Sequence, residues 1–302
     1  MSETRTAVVL MAYGTPRTPE EILPYYTDIR RGNPPSPEQL ADLTARYEAI
    51  GGISPLTERT EAQRDALQAA LDTVADGAYH VVLGLKHTAP FIEQTVDALA
   101  AEGYREAVGL VLAPHYSAFS VGQYLTRLTD AASPHGIAVR SIESWATEPA
   151  FVDFIAADLR IKLASLPAET RVLFTAHSLP QRILASGDPY PAQLQATASC
   201  VAELAGLDNW GMAWQSAGRT PDPWLGPDVL SVIDELSDDG RTWGVLVSAV
   251  GFVADHLEVL YDLDIEAAGR AAQHGLAFAR TACVNDDAVV MAALAHRVIG
   301  AK

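Results

Sequence analysis

Short, nearly unbroken apolar runs alternate with longer segments of helical period along this chain, and that alternation limits the fold more than any other feature. Runs at 7–13, 79–86, 106–112 and 137–142 lie in the first half, and runs at 171–175, 210–215, 242–248 and 276–281 in the second. Val81-Val82-Leu83-Gly84-Leu85 shows no inside–outside alternation, as expected of a parallel strand covered on both faces. The pattern predicts an α/β protein of two doubly wound domains, each with a four-stranded parallel sheet. Residues 1–146 are expected to form the first domain and 147–285 the second, with a helix at 286–302 packing back on the first. At 302 residues and 49% apolar content the chain can build two buried cores.

Charge and cysteine usage narrow the functional classes. Lys and Arg total 21 against 38 Asp and Glu, a net charge of −17, which excludes a phosphate-binding surface of the nucleic-acid type. An anionic small substrate would need local arginines to reverse the field at its site. No run approaches the ~18–20 apolar residues of a membrane-spanning helix, and no export signal precedes the first strand, so a cytoplasmic protein without stable membrane attachment is expected. Cys200 and Cys283 are read as two buried thiols and cannot supply the four thiolates of an iron–sulfur cluster. Neither GxGxxG nor a P-loop follows the first strand, which disfavours a nucleotide enzyme.

In open parallel sheets ligands bind beyond the carboxyl ends of the strands. Tyr13, His87, His115, His177, Trp214 and Phe252 stand at or just past predicted strand ends in both halves, which points to a cleft between the domains. The connection 14–56, dense in proline between Pro16 and Pro37 and carrying Gly51-Gly52 before Pro55, is too long for a βα turn and is expected to form a lid or wall.

Four elements there could carry chemistry. In Leu173-Phe174-Thr175-Ala176-His177-Ser178-Leu179-Pro180 an imidazole ends an apolar strand; it could be a general base, a ligand to a borderline metal such as Fe²⁺, or a loop histidine bonded to backbone. On a helix over 255–266, Glu258, Asp262 and Glu266 fall at i, i+4 and i+8, either a row of hard oxygen ligands for a divalent cation or a solvated acidic face. Tyr13, with Tyr25, Tyr26, Arg30, Arg31, Arg46 and Tyr47 beyond it, offers aromatic surface and guanidinium forks to a flat polyanion; packing and solvation are the plain alternatives. The loop from Trp214 through Trp224 to Pro227 could wall a large apolar ligand or merely pin itself to its domain.

Together these elements resemble the ferrochelatases. Thr175-Ala176-His177-Ser178-Leu179-Pro180 followed by Gly187-Asp188-Pro189-Tyr190 is similar to the family signature. So are Trp214-Gln215-Ser216 with Thr220 through Pro227, Gly251-Phe252-Val253-Ala254-Asp255-His256-Leu257-Glu258, Arg46-Tyr47 with Ile50 through Leu56, and Leu85-Lys86-His87 before Pro90-Phe91-Ile92. The matches are collinear from Tyr13 to Tyr261, most of the chain.

The resemblance implies two Rossmann-like domains with a porphyrin between them, and His177 facing Glu258 over the ring centre as the catalytic, iron-handling pair. It implies Asp262 and Glu266 as a metal-delivery row and Tyr13 on the opposite side of the ring. Arg30, Arg46, Tyr47, Ser54 and Tyr124 are implied at the tetrapyrrole edge. Compact length and Tyr13 favour the bacterial coproporphyrin III branch, with Fe²⁺ as substrate metal, no prosthetic group, and a monomer that hands coproheme to a transient partner. A protoporphyrin IX ferrochelatase or a non-catalytic haem carrier are the alternatives.

Overall fold

The computed structural model describes residues 5–218 and 220–301; Arg219 of the tryptophan-flanked loop lies outside them. The first half runs β1 (Thr6–Ala12), α1 (Ile22–Ile29), α2 (Pro37–Ala49), α3 (Leu56–Val74), β2 (Tyr79–Leu85), α4 (Ile92–Ala101), β3 (Glu106–Val111), α5 (Val121–Ala132) and β4 (Ala138–Ile142). The second runs α6 (Pro149–Leu163), β5 (Thr170–His177), α7 (Arg182–Ala185), α8 (Tyr190–Ala205), β6 (Trp210–Gln215), α9 (Val229–Asp238), β7 (Gly244–Ser248), α10 (Leu257–Tyr261), a π-helical turn Asp262–Ala267, α11 (Ala268–Gln273), β8 (Ala277–Arg280) and α12 (Ala288–Gly300). All eight predicted strands are present, with no end displaced by more than two residues.

The sheets are ordered β2-β1-β3-β4 and β6-β5-β7-β8, with every pairing parallel. Each half therefore repeats one winding, in which the chain reverses direction across the sheet after its first two strands. The crevice between the first and third strand of each half, beyond their carboxyl ends, is the natural ligand position. Tyr13 follows β1 and His177 ends β5, so the two sheets bring a phenol and an imidazole to equivalent places.

The apolar interior departs from the two cores read in the sequence. One cluster joins Val8, Leu10 and Leu67 to Phe151, Leu194, Phe174 and the buried face of α12. Two others cover the outer faces of the sheets, under α4 and α5 in one half and α9 and α11 in the other. Helices α3, α6, α8 and α12 thus form a middle layer shared by both sheets, because each has an apolar stripe that packs on its neighbours as well as on a strand face. Polar bonds tighten this join. Gln63 donates to the carbonyls of Val253 (3.4 Å) and Asn285 (2.9 Å), and Ser144 donates to Gln193 (2.8 Å). Of the two cysteines expected to be buried, Cys283 is and Cys200 is exposed, because Cys200 falls on the outward face of α8.

Candidate functional site

The turn after β5 is held by backbone. Ser178 donates its amide to Gln215 (2.8 Å) and its hydroxyl to Leu225 (2.7 Å), and the Tyr190 hydroxyl donates to the carbonyl of His177 (3.1 Å). The loop between Trp214 and Pro227 runs beside this turn, with Leu225 donating to Leu179 (2.9 Å) and Gln181 to Pro223 (2.8 Å). Trp214 is buried against Tyr190, ring centroids 5.9 Å apart. The loop is therefore pinned to its own domain and braces the histidine turn, the plainer of the two readings its sequence allowed. His177 Nδ1 bonds to the carbonyl of Ser178. A carbonyl only accepts, so Nδ1 carries a proton, and in the neutral ring it is Nε2 that presents the lone pair.

That Nε2 lies 3.7 Å from Oε1 of Glu258. The Glu258 carbonyl accepts from Gln215 Nε2 (3.2 Å), whose Oε1 accepts from Thr175 (3.0 Å), so the two strand ends are tied through one amide. On the other side of the carboxylate, His256 Nε2 stands 3.9 Å from Oε2 while its Nδ1 donates to the carbonyl of Ala254 (2.9 Å). Glu258 thus sits between two imidazoles, each fixed by backbone in the same tautomer. Gly251 makes this approach possible: a Cβ there would lie 2.4 Å from Cβ of Ala176.

The acidic row is not the plain α-helix that its spacing predicted. After α10 the chain widens into the π turn Asp262–Ala267. A four-residue step overshoots a 3.6-residue α turn, whereas the i→i+5 ladder of a π turn takes more than four residues, so mixed winding offsets the drift of Glu258, Asp262 and Glu266. Asp262 is 7% exposed and accepts from the Ser216 hydroxyl, with Ser216 held at φ 58°. Burial first, and the nearby Glu258 charge second, push its carboxyl up to about 7. Among the described residues no three His, Cys, Asp or Glu side chains converge closely enough to cage an ion.

The first half supplies a wall of phenols. The ring of Tyr13 meets Tyr25 edge-on at 6.4 Å and His87 at 4.4 Å, and Lys86 Nζ sits 5.9 Å from the Tyr13 ring and 5.0 Å from that of Tyr124. Gly14, at φ 85°, turns the chain directly after Tyr13, where a Cβ would lie 2.3 Å from the Thr88 hydroxyl. Desolvation raises the Tyr13 phenol above its ordinary value, and the Glu258 charge adds to the rise, which places the two groups within electrostatic reach across the cleft.

The remaining expected site residues fall into two groups. Tyr47, Ser54 and Tyr124 are 1%, 5% and 5% exposed, so they support the wall and offer a ligand little surface; the Tyr47 hydroxyl bonds Thr15 (3.2 Å) and Ser54 Oγ accepts from Leu56 (3.2 Å). Arg30 donates to the carbonyl of Asn33 (3.2 Å) beside the Tyr26 ring. Arg46, expected at a propionate, points instead at the acidic row: it is 3.7 Å from Asp262 and 3.3 Å from Asp42, over the ring of Tyr261 at 4.7 Å. His256 and Ser216 join the site beyond the residues expected from the sequence. His256, two residues before Glu258, was open to detection; Ser216 reaches Asp262 through a left-handed backbone that no pattern reveals.

A family model described as Ferrochelatase matches residues 5–301. A coproporphyrin III ferrochelatase of Oceanobacillus iheyensis is 48% identical over 88% of this chain and 87% of its own length. One of Bacillus pumilus is 45% identical over 99% of this chain and 98% of its own. The solved structure of SirB from Bacillus subtilis with Fe3+ superposes at a TM-score of 0.57 and 14% identity, covering 98% of this chain and 94% of that one, which is a likeness of fold. A bare imidazole and a carboxylate on one side of the cleft, a phenol on the other, and a match that spans both sheets lead to one assignment: the chain belongs to the ferrochelatase family.

Proposed function

We propose that this protein inserts Fe²⁺ into coproporphyrin III, releasing two protons and giving Fe-coproporphyrin III. The observation that carries the reading is the 3.7 Å approach of His177 Nε2 to Glu258 Oε1. Both inner N–H protons of the macrocycle must leave as the metal enters, and the neutral His177 ring, held through Nδ1, turns its Nε2 lone pair toward Glu258 as the acceptor. Glu258 stabilises the imidazolium so formed and, flanked by His256, can pass the proton on. Coproporphyrin carries four carboxylates, so the acidic chain must meet it with local cations; Arg30 and Lys86 stand on the first-half side of the cleft, whereas the Arg127 fork is taken by Glu93 (both bonds 2.7 Å) and by the Lys86 carbonyl (2.8 Å). A planar ring hides its nitrogen lone pairs, and binding at its edge would supply the work of bending it between Tyr13 and the opposite wall.

Asp262 and Glu266 form the approach for the ion on this reading. Arg46 beside Asp262 partly neutralises the row until a cation arrives. No described helix is long and apolar enough to cross a membrane. The proposal has the chain working as a monomer in the cytoplasm and handing its product to a transient partner. Anaerobic absorbance measurements with Fe²⁺ and either coproporphyrin III or protoporphyrin IX test it. Metalloporphyrin bands should develop faster with the four-carboxylate ring. Bands with protoporphyrin alone would overturn the substrate, and tight haem binding with no product from free porphyrin would identify a carrier.

A further inference from the structure

Arg280, at the end of β8, is 16% exposed at its side chain and binds two carboxylates at once. Its Nε and Nη2 donate to the two oxygens of Asp264 at 2.7 and 2.9 Å, and Nη2 also reaches Asp255 at 3.1 Å. Its Nη1 donates to the Thr281 carbonyl at 3.1 Å, which aims the fork. Asp255 lies three residues before Glu258 and Asp264 two residues after Asp262. One guanidinium therefore clamps both ends of the stretch that carries the reactive carboxylates.

That stretch has little of its own to hold it. Helix α10 is five residues long, well below what an isolated helix needs, and the π turn after it has a winding that proteins keep only where the surroundings impose it. The Asp255 end is doubly fixed: Asn285 donates to its carboxylate at 2.8 Å and accepts from its amide at 3.0 Å. The Asp264 end has the Arg280 fork. Without that fork Asp264 is released, the π turn can relax toward α winding, and Asp262 turns away from Ser216. The freed Asp264 carboxylate, and Asp255 with only Asn285 beside it, would also be left near the row as decoys for the incoming cation.

We infer that Arg280 is a positioning residue for iron insertion, holding Glu258 and Asp262 in line by clamping Asp255 and Asp264. Lysine has one charged point where arginine has a planar fork, so it can keep one of these bonds but not the set. The inference rests on the function proposed above.

Its test compares the parent chain with R280Q, R280K and D264N, measuring kcat and KM for Fe²⁺ anaerobically, coproporphyrin III affinity by fluorescence titration, and thermal midpoint. R280Q should lose about ten- to a hundredfold in kcat while porphyrin affinity stays within about twofold, since a displacement near 1 Å suffices for such a loss. R280K should regain part of it. D264N should lose kcat in the same way, and the double variant should be no worse than R280Q, because the two changes break one bond pair. A folded R280Q with kcat within twofold of the parent overturns the inference, as does a loss of porphyrin affinity equal to the loss of kcat. If R280Q does not fold, D264N decides alone by the same criteria. A parent chain that inserts no iron refutes the proposed function and takes this inference with it; an active parent beside an undiminished R280Q refutes the inference alone.

Discussion

The two walls of the cleft stand on the same strand order, yet they do opposite things. The first-half wall is built from Tyr13, Tyr25, Tyr47 and Tyr124, whose phenols are all raised by desolvation and so stay protonated near neutral pH. Its cation, Lys86, is drawn down to about 8 by burial and by Arg127 and Arg31. The second-half wall presents two bare imidazole nitrogens and a carboxylate, groups that take up protons and divalent cations. Equal topology with unequal chemistry means that the sheets set where groups stand and the loops set what they are. The first half fills 14–56 with α1 and α2 as a cover; the second uses the turns after β5, β6 and β7 to aim side chains.

The largest effect that follows lies on the second wall. Glu258→Gln keeps the shape but removes the charge beside His177, and kcat for iron insertion should fall by about a hundredfold or more with porphyrin affinity changed by no more than a few-fold. A change confined to affinity would mean that this wall also only holds the ring. Gly251→Ala should come next. Its new Cβ must displace Ala176 or the chain leading to Glu258, at a cost of about 1–3 kcal/mol in denaturant unfolding and roughly tenfold in kcat. Unchanged turnover in a destabilised Gly251→Ala protein would show that the approach of the two strand ends serves folding alone. On the opposite wall, Tyr13→Phe removes one hydroxyl from a group that does not ionise, and kcat should move by less than about fivefold. A loss as large as that of Glu258→Gln would erase the division between holding and reacting walls.

Strand positions and the repeated winding were legible because a doubly covered parallel strand has to be apolar on both sides, and Val81 through Leu85 could hardly be anything else. His177 stood out as a histidine ending an apolar strand and Glu258 as the first of three carboxylates at helical spacing, whereas their facing each other was implied only by the family resemblance. What periodicity missed is what depends on partners distant in sequence. The four-residue spacing of Glu258, Asp262 and Glu266 fits a regular helix, but the chain there takes a π turn whose Asp262 and Asp264 bond Ser216 and Arg280, from other loops and strands. Arg46 resembled a free cation for the substrate until the fold brought α2 beside α10 and set it against Asp262. The shared middle layer was hidden for the same reason: apolar stripes on α3, α6, α8 and α12 show that each is covered, not by what.

The smallest effect on turnover is expected at the seam that holds the two walls at a fixed separation, where the change is one of stability. His115 is 2% exposed there, and its Nε2 lies 2.8 Å from the Thr197 hydroxyl. Thr197 donates to the carbonyl of Ala146 (2.7 Å), so Nε2 must be the donor to Thr197, and Nδ1 is a buried acceptor with no bonding partner. A second proton would enter at Nδ1 with nothing to receive its hydrogen bond, and burial accordingly drives this imidazole down to about 3. Between that value and the ordinary ~6.5 the unfolded chain binds a proton that the folded chain refuses, so stability falls as pH drops through this window and is unaffected above it. The burden reaches at most about 2–3 kcal/mol near pH 4.5. His115→Gln cannot titrate: the thermal midpoint of the variant should lie below that of the parent at pH 7.5, and the gap should narrow steadily toward pH 4.5. A constant gap would show that His115 contributes packing to the seam and no proton linkage, leaving the separation of the walls to the apolar middle layer.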